Sequence, residues 1–165
     1  MASEVVGQLL YLLDQAFEGD RWHSLLANLQ SVTLDDWIWL PPGGDRSIRD
    51  IVDHVGACKL MYENHAFGDA TLRWEDIEAG AAARLETVDA AIAWLRSGQQ
   101  QLRQSVASLD DKELLRPRRS NWGELKETRW LIGVLVGHDH YHAGEINHLR
   151  ALHQQDDHWA YTREP

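Results

Sequence analysis

The sequence is poor in cysteine and has no long apolar run, and each absence excludes a class of protein. Its single cysteine, Cys58, excludes an intrachain disulfide and fits a reducing compartment, so we expect a cytoplasmic protein. The longest apolar run, Leu131 to Val136, is far shorter than the roughly 18 residues that cross a membrane. The first residues lack a basic stretch followed by an apolar one, so no signal peptide is expected.

Basic residues are also scarce relative to acidic ones. The chain has 16 Lys and Arg against 26 Asp and Glu, which gives a formal net charge of -10. An acidic surface repels phosphate backbones, and the densest basic stretch, residues 116–119, is too short to be a nucleic-acid footprint. We therefore expect no nucleic-acid or membrane partner, and a small-molecule substrate instead.

The sequence also lacks segments of strand length in which apolar and polar residues alternate. Apolar residues recur instead at helical spacing. The patterns predict a helix after Ser3 with a second piece over 21–30, and further helices over 47–68, 87–109 and 124–153. Ser47 and Asp50 resemble a capping box at the start of the second main helix. We predict one all-α domain over residues 1–165, an antiparallel four-helix bundle with long connections over 31–46, 69–84 and 110–123.

Histidine is abundant, with nine residues, three of them within five positions. His138 and His142 are four residues apart, so they lie about 40° apart on one helix face. They interrupt an otherwise apolar stripe, and a polar group buried there needs a partner. Two imidazoles at this spacing can bind one zinc ion, with a third ligand from another helix. His54, which is also a polar residue on an apolar stripe, is the best candidate for that ligand.

Two segments resemble a known family. Residues 47–55, preceded by Trp39-Leu40-Pro41, resemble the second helix of the DinB-like superfamily. Residues 137–146, followed by Leu149-Arg150, resemble its fourth helix, and the similarity extends over about residues 5–153. The resemblance implies a four-helix bundle, often dimeric, with three histidines around zinc, nickel or a similar divalent ion. The matching positions are His54, His138 and His142.

The resemblance also implies a range of activities. Some members resemble S-transferases that use low-molecular-weight thiols such as bacillithiol or mycothiol, one branch isomerises maleylpyruvate, and many have no assigned reaction. We therefore expect a metal-dependent transferase or hydrolase, with a low-molecular-weight thiol as a candidate cofactor. The alternative is a non-catalytic, metal-stabilised helical bundle, such as a stress-related dimer or a binding module. The sequence assigns no catalytic residue.

Several residues near the histidines have more than one interpretation. The family usually has Gln where this chain has Glu145, which could orient His142, act as a fourth ligand or only make a helix contact. Cys58 is a zinc ligand or, more simply, a small buried hydrophobe. Asp139 is expected at the helix surface or as a partner to another helix, before any role as a general base. Trp122 and Tyr141 border the pocket or serve in packing.

Overall fold

The fold is built on four long helices. The computed structural model describes residues 3–161, and side chains over residues 3–160. The long helices are α1 (Glu4–Asp14), α4 (Ile48–Phe67), α7 (Val88–Ala107) and α8 (Thr128–Gln154). Within the described residues, four shorter α-helices lie in the connections between them, and a fifth follows α8: α2 (Leu25–Leu29), α3 (Leu34–Ile38), α5 (Trp74–Glu78), α6 (Ala81–Arg84) and α9 (His158–Tyr161). The predicted domain bounds of 1 and 165 lie outside the described residues.

Side-chain caps determine where the long helices begin. Ser47 accepts a hydrogen bond from the backbone N–H of Asp50, whose carboxylate accepts one from the backbone N–H of Ser47. This is the predicted capping box, and it satisfies two amide groups that lack partners inside the helix. Ser3 and Thr87 cap α1 and α7 in the simpler way, each through its hydroxyl oxygen. The predicted starts of these three helices are confirmed.

The core forms where two of the long helices, α4 and α1, each pack against the other two. Helix α4 packs against α7 and α8, and α1 packs against the same two helices. At one end, buried residues from α2, α3, α4, α7 and α8 form one cluster that includes Trp37, a residue only 1% exposed. At the other end, α1, α7 and α8 contribute a second cluster that includes Leu13, Leu102 and Ile132. The close contact of α4 with α8 is the one that brings the predicted site residues together.

Helix α1 does not run directly into the second predicted piece. A π-helical turn, Gln15–Gly19, continues α1 and buries Ala16 and Phe17. The chain then leaves the helical conformation at Asp20 and resumes it in α2. The two sequence patterns are therefore separate helices.

The all-α prediction is wrong in detail, because the protein is mostly helical but contains a small sheet. Strands β1 (Pro117–Arg119) and β2 (Leu125–Glu127) form an antiparallel pair with Arg118 opposite Lys126. Each strand has three residues, too few to show the alternation that identifies a strand in sequence. The hairpin delays the start of α8 from the predicted residue 124 to Thr128, whose hydroxyl donates to the carbonyl oxygen of Arg116.

The predicted connection over 31–46 also contains structure. Helix α3 is capped by Thr33, which forms a capping box with Asp36. This helix inserts Trp37 into the core, where its indole N–H donates to the carbonyl oxygen of Leu85 at 3.4 Å. In the connection between α4 and α7, Ile77 is buried, whereas Trp74 is 39% exposed. Among residues 3–161, no helix has the length and apolar character needed to cross a membrane.

Candidate metal centre

The site is formed where α4 crosses α8. His54 lies in the second turn of α4, and His138 and His142 lie one turn apart in α8. The Nε2 atoms of His54 and His138 are 3.2 Å apart, and those of His138 and His142 are also 3.2 Å apart. One ring nitrogen from each residue lies within 4.8 Å of the other two. The structure thus brings all three predicted residues together.

The surroundings favour neutral imidazoles. His142 is 3% exposed, whereas His138 is half-buried and His54 reaches the surface. Burial, followed by the proximity of His142, His54 and Lys59, lowers the pKa of His138 to about 3. Burial and His142 also lower the pKa of His54. Because a neutral imidazole keeps a lone pair, these nitrogens are available to a cation at neutral pH.

Glu145 connects His142 to the surface. The Nδ1–H of His142 donates to Glu145 Oε2 at 2.8 Å, and Arg46 donates through Nη2 to Glu145 Oε1 at 2.8 Å. A carboxylate only accepts hydrogen bonds, so this contact places the His142 proton on Nδ1 and leaves the Nε2 lone pair facing the other histidines. Of the three interpretations of Glu145, the geometry fits the one in which it orients His142.

An open cavity of about 530 Å³ lies beside the three imidazoles. Besides the histidines it is lined by Arg46, Val134, Gly137 and Tyr141. The Tyr141 ring packs edge-on against His142, with 4.9 Å between centroids, and is 68% exposed. Of the two interpretations of Tyr141, the geometry fits the one in which it borders the pocket. Trp122 does not border the pocket, because it packs against Tyr62 and Trp130 near the hairpin.

A larger cavity, of about 600 Å³, lies between α1 and α8. Its lining includes Tyr11, Trp22 and His140, but none of the three clustered histidines. Size alone would favour this cavity as the functional one. We assign chemistry to the smaller cavity, because the group of convergent ligand nitrogens borders it and does not border the larger one.

Cys58 lies next to the site without joining it. Its Sγ is 3.7 Å from Nε2 of His54, but it is not part of the group of ligand atoms within 4.8 Å of one another. The side chain is 8% exposed, and burial raises the pKa of its thiol to about 11. A protonated, buried thiol matches the simpler interpretation, a small hydrophobe in the core.

Sequence reasoning missed two features of the site. Arg46, which lies directly before the Ser47 cap, was not recognised as a neighbour of the histidines. Lys59 was not recognised either, although it lies among the apolar inward positions of α4. Its Nζ donates to Asp139 Oδ2 and to Gln99 Oε1, each at 2.7 Å. Asp139 is thus an inter-helix partner, as predicted, but it is fully buried and not at the surface.

Comparison with known proteins identifies the family. No curated protein matches the chain. A model of the DinB superfamily matches residues 18–146, which include α2 to α7 and the first two-thirds of α8. All three clustered histidines and Glu145 fall within the matched region. Because the match covers well over half of the chain, the protein belongs to the DinB superfamily.

Proposed function

We propose that His54, His138 and His142 hold one divalent metal ion, and that the protein is a metal-dependent transferase or hydrolase. The observation that carries the proposal is the convergence of three imidazole Nε2 atoms beside an open cavity. Membership of a superfamily known for metal binding supports it. By the same resemblance we propose zinc or nickel as the ion and a low-molecular-weight thiol as a cofactor.

The spacing of the nitrogens fits a tetrahedral site. Two ligands about 2.05 Å from zinc, at the tetrahedral angle, lie about 3.3 Å apart. The observed separations from His138 Nε2 to its two neighbours are 3.2 Å. Both contacts are to Nε2 of His138, and in a neutral imidazole this nitrogen has either one N–H or one lone pair, so it forms one directed hydrogen bond. A shared cation accounts for both contacts, whereas hydrogen bonding alone accounts for one.

The open side of the site supports catalysis. Three protein ligands with a free position are typical of catalytic zinc sites, whereas structural sites use four. A metal ion bound there would lower the pKa of a water molecule or thiol and supply a nucleophile at neutral pH. Glu145 would keep the His142 ring in its orientation, and Tyr141 and Val134 would provide apolar contact to a substrate.

The alternative is a metal-stabilised bundle without catalytic activity. It would need a saturated site, and the two candidates for a fourth ligand have other contacts. Glu145 accepts hydrogen bonds from His142 and Arg46, and the Cys58 thiol is buried beside His54. We therefore favour the enzyme. A homodimer, which rests on the family resemblance, remains part of the proposal. So do a cytoplasmic location, which rests on the single cysteine, and an antiparallel order of the four long helices, which rests on the helical patterns and their connections.

The first test is the metal content of the chain, purified without a histidine tag, measured by elemental analysis after zinc or nickel loading and desalting. We expect about one equivalent in the native protein and loss of the metal in His54→Ala and His142→Ala. His148→Ala is the matched control, because His148 is an exposed histidine on the same helix. No metal in the native protein, or equal retention in all three variants, would refute the site.

Activity separates the two candidate functions. Metal-loaded protein is assayed for conjugation of a low-molecular-weight thiol to 1-chloro-2,4-dinitrobenzene and for hydrolysis of a nitrophenyl ester, beside the metal-free protein. Turnover that requires the metal would support the enzyme. A metal that raises the melting temperature in the absence of any turnover would favour the structural alternative.

A further inference from the structure

Arg46 places a guanidinium, ion-paired to Glu145, in the lining of the candidate cavity. The chain has a net charge of -10, yet no carboxylate lines the cavity formed by the described residues around His54, His138 and His142. Arg46 is the one Lys or Arg residue in that lining. Its side chain is 42% exposed, so the guanidinium is accessible from the cavity.

The guanidinium is held in place and retains unused donors. Its Nη2 donates to Glu145 Oε1 at 2.8 Å, and Glu145 is itself held by His142. This chain of contacts limits the motion of a side chain that would otherwise be flexible. A guanidinium has five N–H donors in a planar fork, so one bond to Glu145 leaves donors for a second acceptor.

The remaining lining determines the shape of a ligand. Val134 and Tyr141 are apolar contacts, and Gly137 leaves open space, since a Cβ there would meet no atom within 4 Å. A ligand that fits has one anionic group at Arg46 and an apolar body along α8. A single guanidinium matches the two oxygens of a carboxylate, with two parallel hydrogen bonds.

We propose that Arg46 is the anchor for a carboxylate-bearing substrate with an apolar body, and thereby determines specificity at this site. The inference rests on the proposed function, because the reacting group of that substrate would have to reach the metal site. Arg46 acts here by direct contact with the substrate, and its bond to Glu145 positions it for that contact.

The test compares the binding of two ligands, one charged and one neutral, to two proteins, one native and one lacking the guanidinium. Binding of 3-phenylpropanoate and of its neutral amide, 3-phenylpropanamide, is measured by isothermal titration calorimetry on metal-loaded native protein and on Arg46→Met. We expect the variant to bind the carboxylate roughly 10- to 100-fold more weakly, because a charge-assisted hydrogen bond is lost, and to bind the amide as before. Arg49→Met, which removes an exposed arginine three residues away, should change neither affinity.

Each other outcome contradicts the inference. Equal losses for carboxylate and amide, or no loss, would mean that Arg46 does not recognise the charge. Phenyl phosphate binding more tightly than the carboxylate would exclude the carboxylate class. Loss of the metal itself from Arg46→Met would assign Arg46 to support of Glu145 instead. If native protein holds no metal, the proposed function fails, but the same comparison on metal-free protein still decides whether Arg46 binds the carboxylate.

Discussion

Lys59 Nζ lies 2.7 Å from Asp139 Oδ2, and both side chains are 1% exposed. The pair connects α4 to α8, and Asp139 is the neighbour of His138 in the sequence. Gln99 of α7 accepts a second hydrogen bond from the ammonium group, which also lies 4.5 Å from the centre of the Phe17 ring. Three long helices and the π-helical turn thus meet at one buried cation.

Removing one partner of this buried ion pair should strongly lower the stability of the fold. We expect Lys59→Met to lower the free energy of unfolding by about 3–5 kcal/mol, because the variant leaves the Asp139 carboxylate buried without its partner. The double variant Lys59→Met with Asp139→Leu should recover much of that loss, since both charges are then gone. Urea denaturation measures both values.

The control for this prediction is an exposed ion pair. Arg103 and Asp14 link α7 to α1 at 3.0 Å, with side chains 49% and 41% exposed. Arg103→Met should cost less than about 1 kcal/mol, because solvent screens such a pair. A similar loss from Lys59→Met and Arg103→Met would show that the buried pair carries no special penalty.

Glu145→Gln tests the orientation of His142. The amide keeps the size of the side chain but is a weaker acceptor for the His142 Nδ1–H than the carboxylate. We expect zinc affinity to fall roughly 10- to 100-fold, with little change in melting temperature. Competition with a chromogenic chelator measures the affinity.

The exposed Glu78 of α5 supplies the matched control for that charge change. Glu78→Gln should leave zinc affinity unchanged. If Glu145→Gln abolished metal binding altogether, the carboxylate would be acting as a direct ligand.

The metal-free protein should lose stability in mild acid. His138 has a pKa of about 3 in the folded state and near 6.5 in the unfolded state. The unfolded chain therefore binds more protons between these values, so the free energy of unfolding is fully retained above pH 6.5 and decreases as the pH falls toward 3. His54, whose pKa is also lowered, acts in the same direction.

Thermal unfolding between pH 7 and 4 measures this dependence. His138→Gln should flatten it, whereas His148→Gln should not. Asp36 contributes to the free energy of unfolding in a separate, lower pH range. Burial opposes the ionisation of its carboxyl group, but hydrogen bonds from Thr33 and His153 hold its pKa at about 2. Its contribution is lost only as the pH falls from 3.8 toward 2. An unchanged slope in His138→Gln would contradict the assignment to His138.

Two glycines should respond to alanine in opposite ways. A Cβ at Gly56 would overlap the Trp94 ring where α4 meets α7, so Gly56→Ala should destabilise the protein by about 1–3 kcal/mol. A Cβ at Gly137 would meet nothing, so Gly137→Ala should stabilise α8 by up to about 1 kcal/mol. Melting temperatures measure both effects, and a loss of stability in Gly137→Ala would contradict the open geometry there.

Sequence periodicity was sufficient for the features that depend on local spacing. The helical class, the Ser47 cap and the pairing of His138 with His142 all follow from residues within one or two turns of each other. His54 was found from its own apolar stripe, together with the family resemblance.

Features that depend on distant contacts could not be predicted in this way. The hairpin is too short to show a pattern, and Arg46 reaches Glu145 across 99 residues. Lys59 and Asp139 are 80 residues apart, and nothing in their local sequence identifies them as a pair. For α3, in contrast, a signal was present and overlooked, because Thr33 and Asp36 have the spacing of a capping box.

The three clustered histidines differ greatly in separation along the chain. His138 and His142 are 4 residues apart, but His54 and His138 are 84 apart. Two of the nitrogens are therefore in place once α8 has formed, while the third requires α4 to dock. That step is non-local and costs the entropy of loop closure. An intermediate with α8 formed and α4 detached would hold a metal ion through two imidazoles only. Full affinity would appear with tertiary assembly, so the rate of tight metal uptake during refolding would report the docking of α4 on α8.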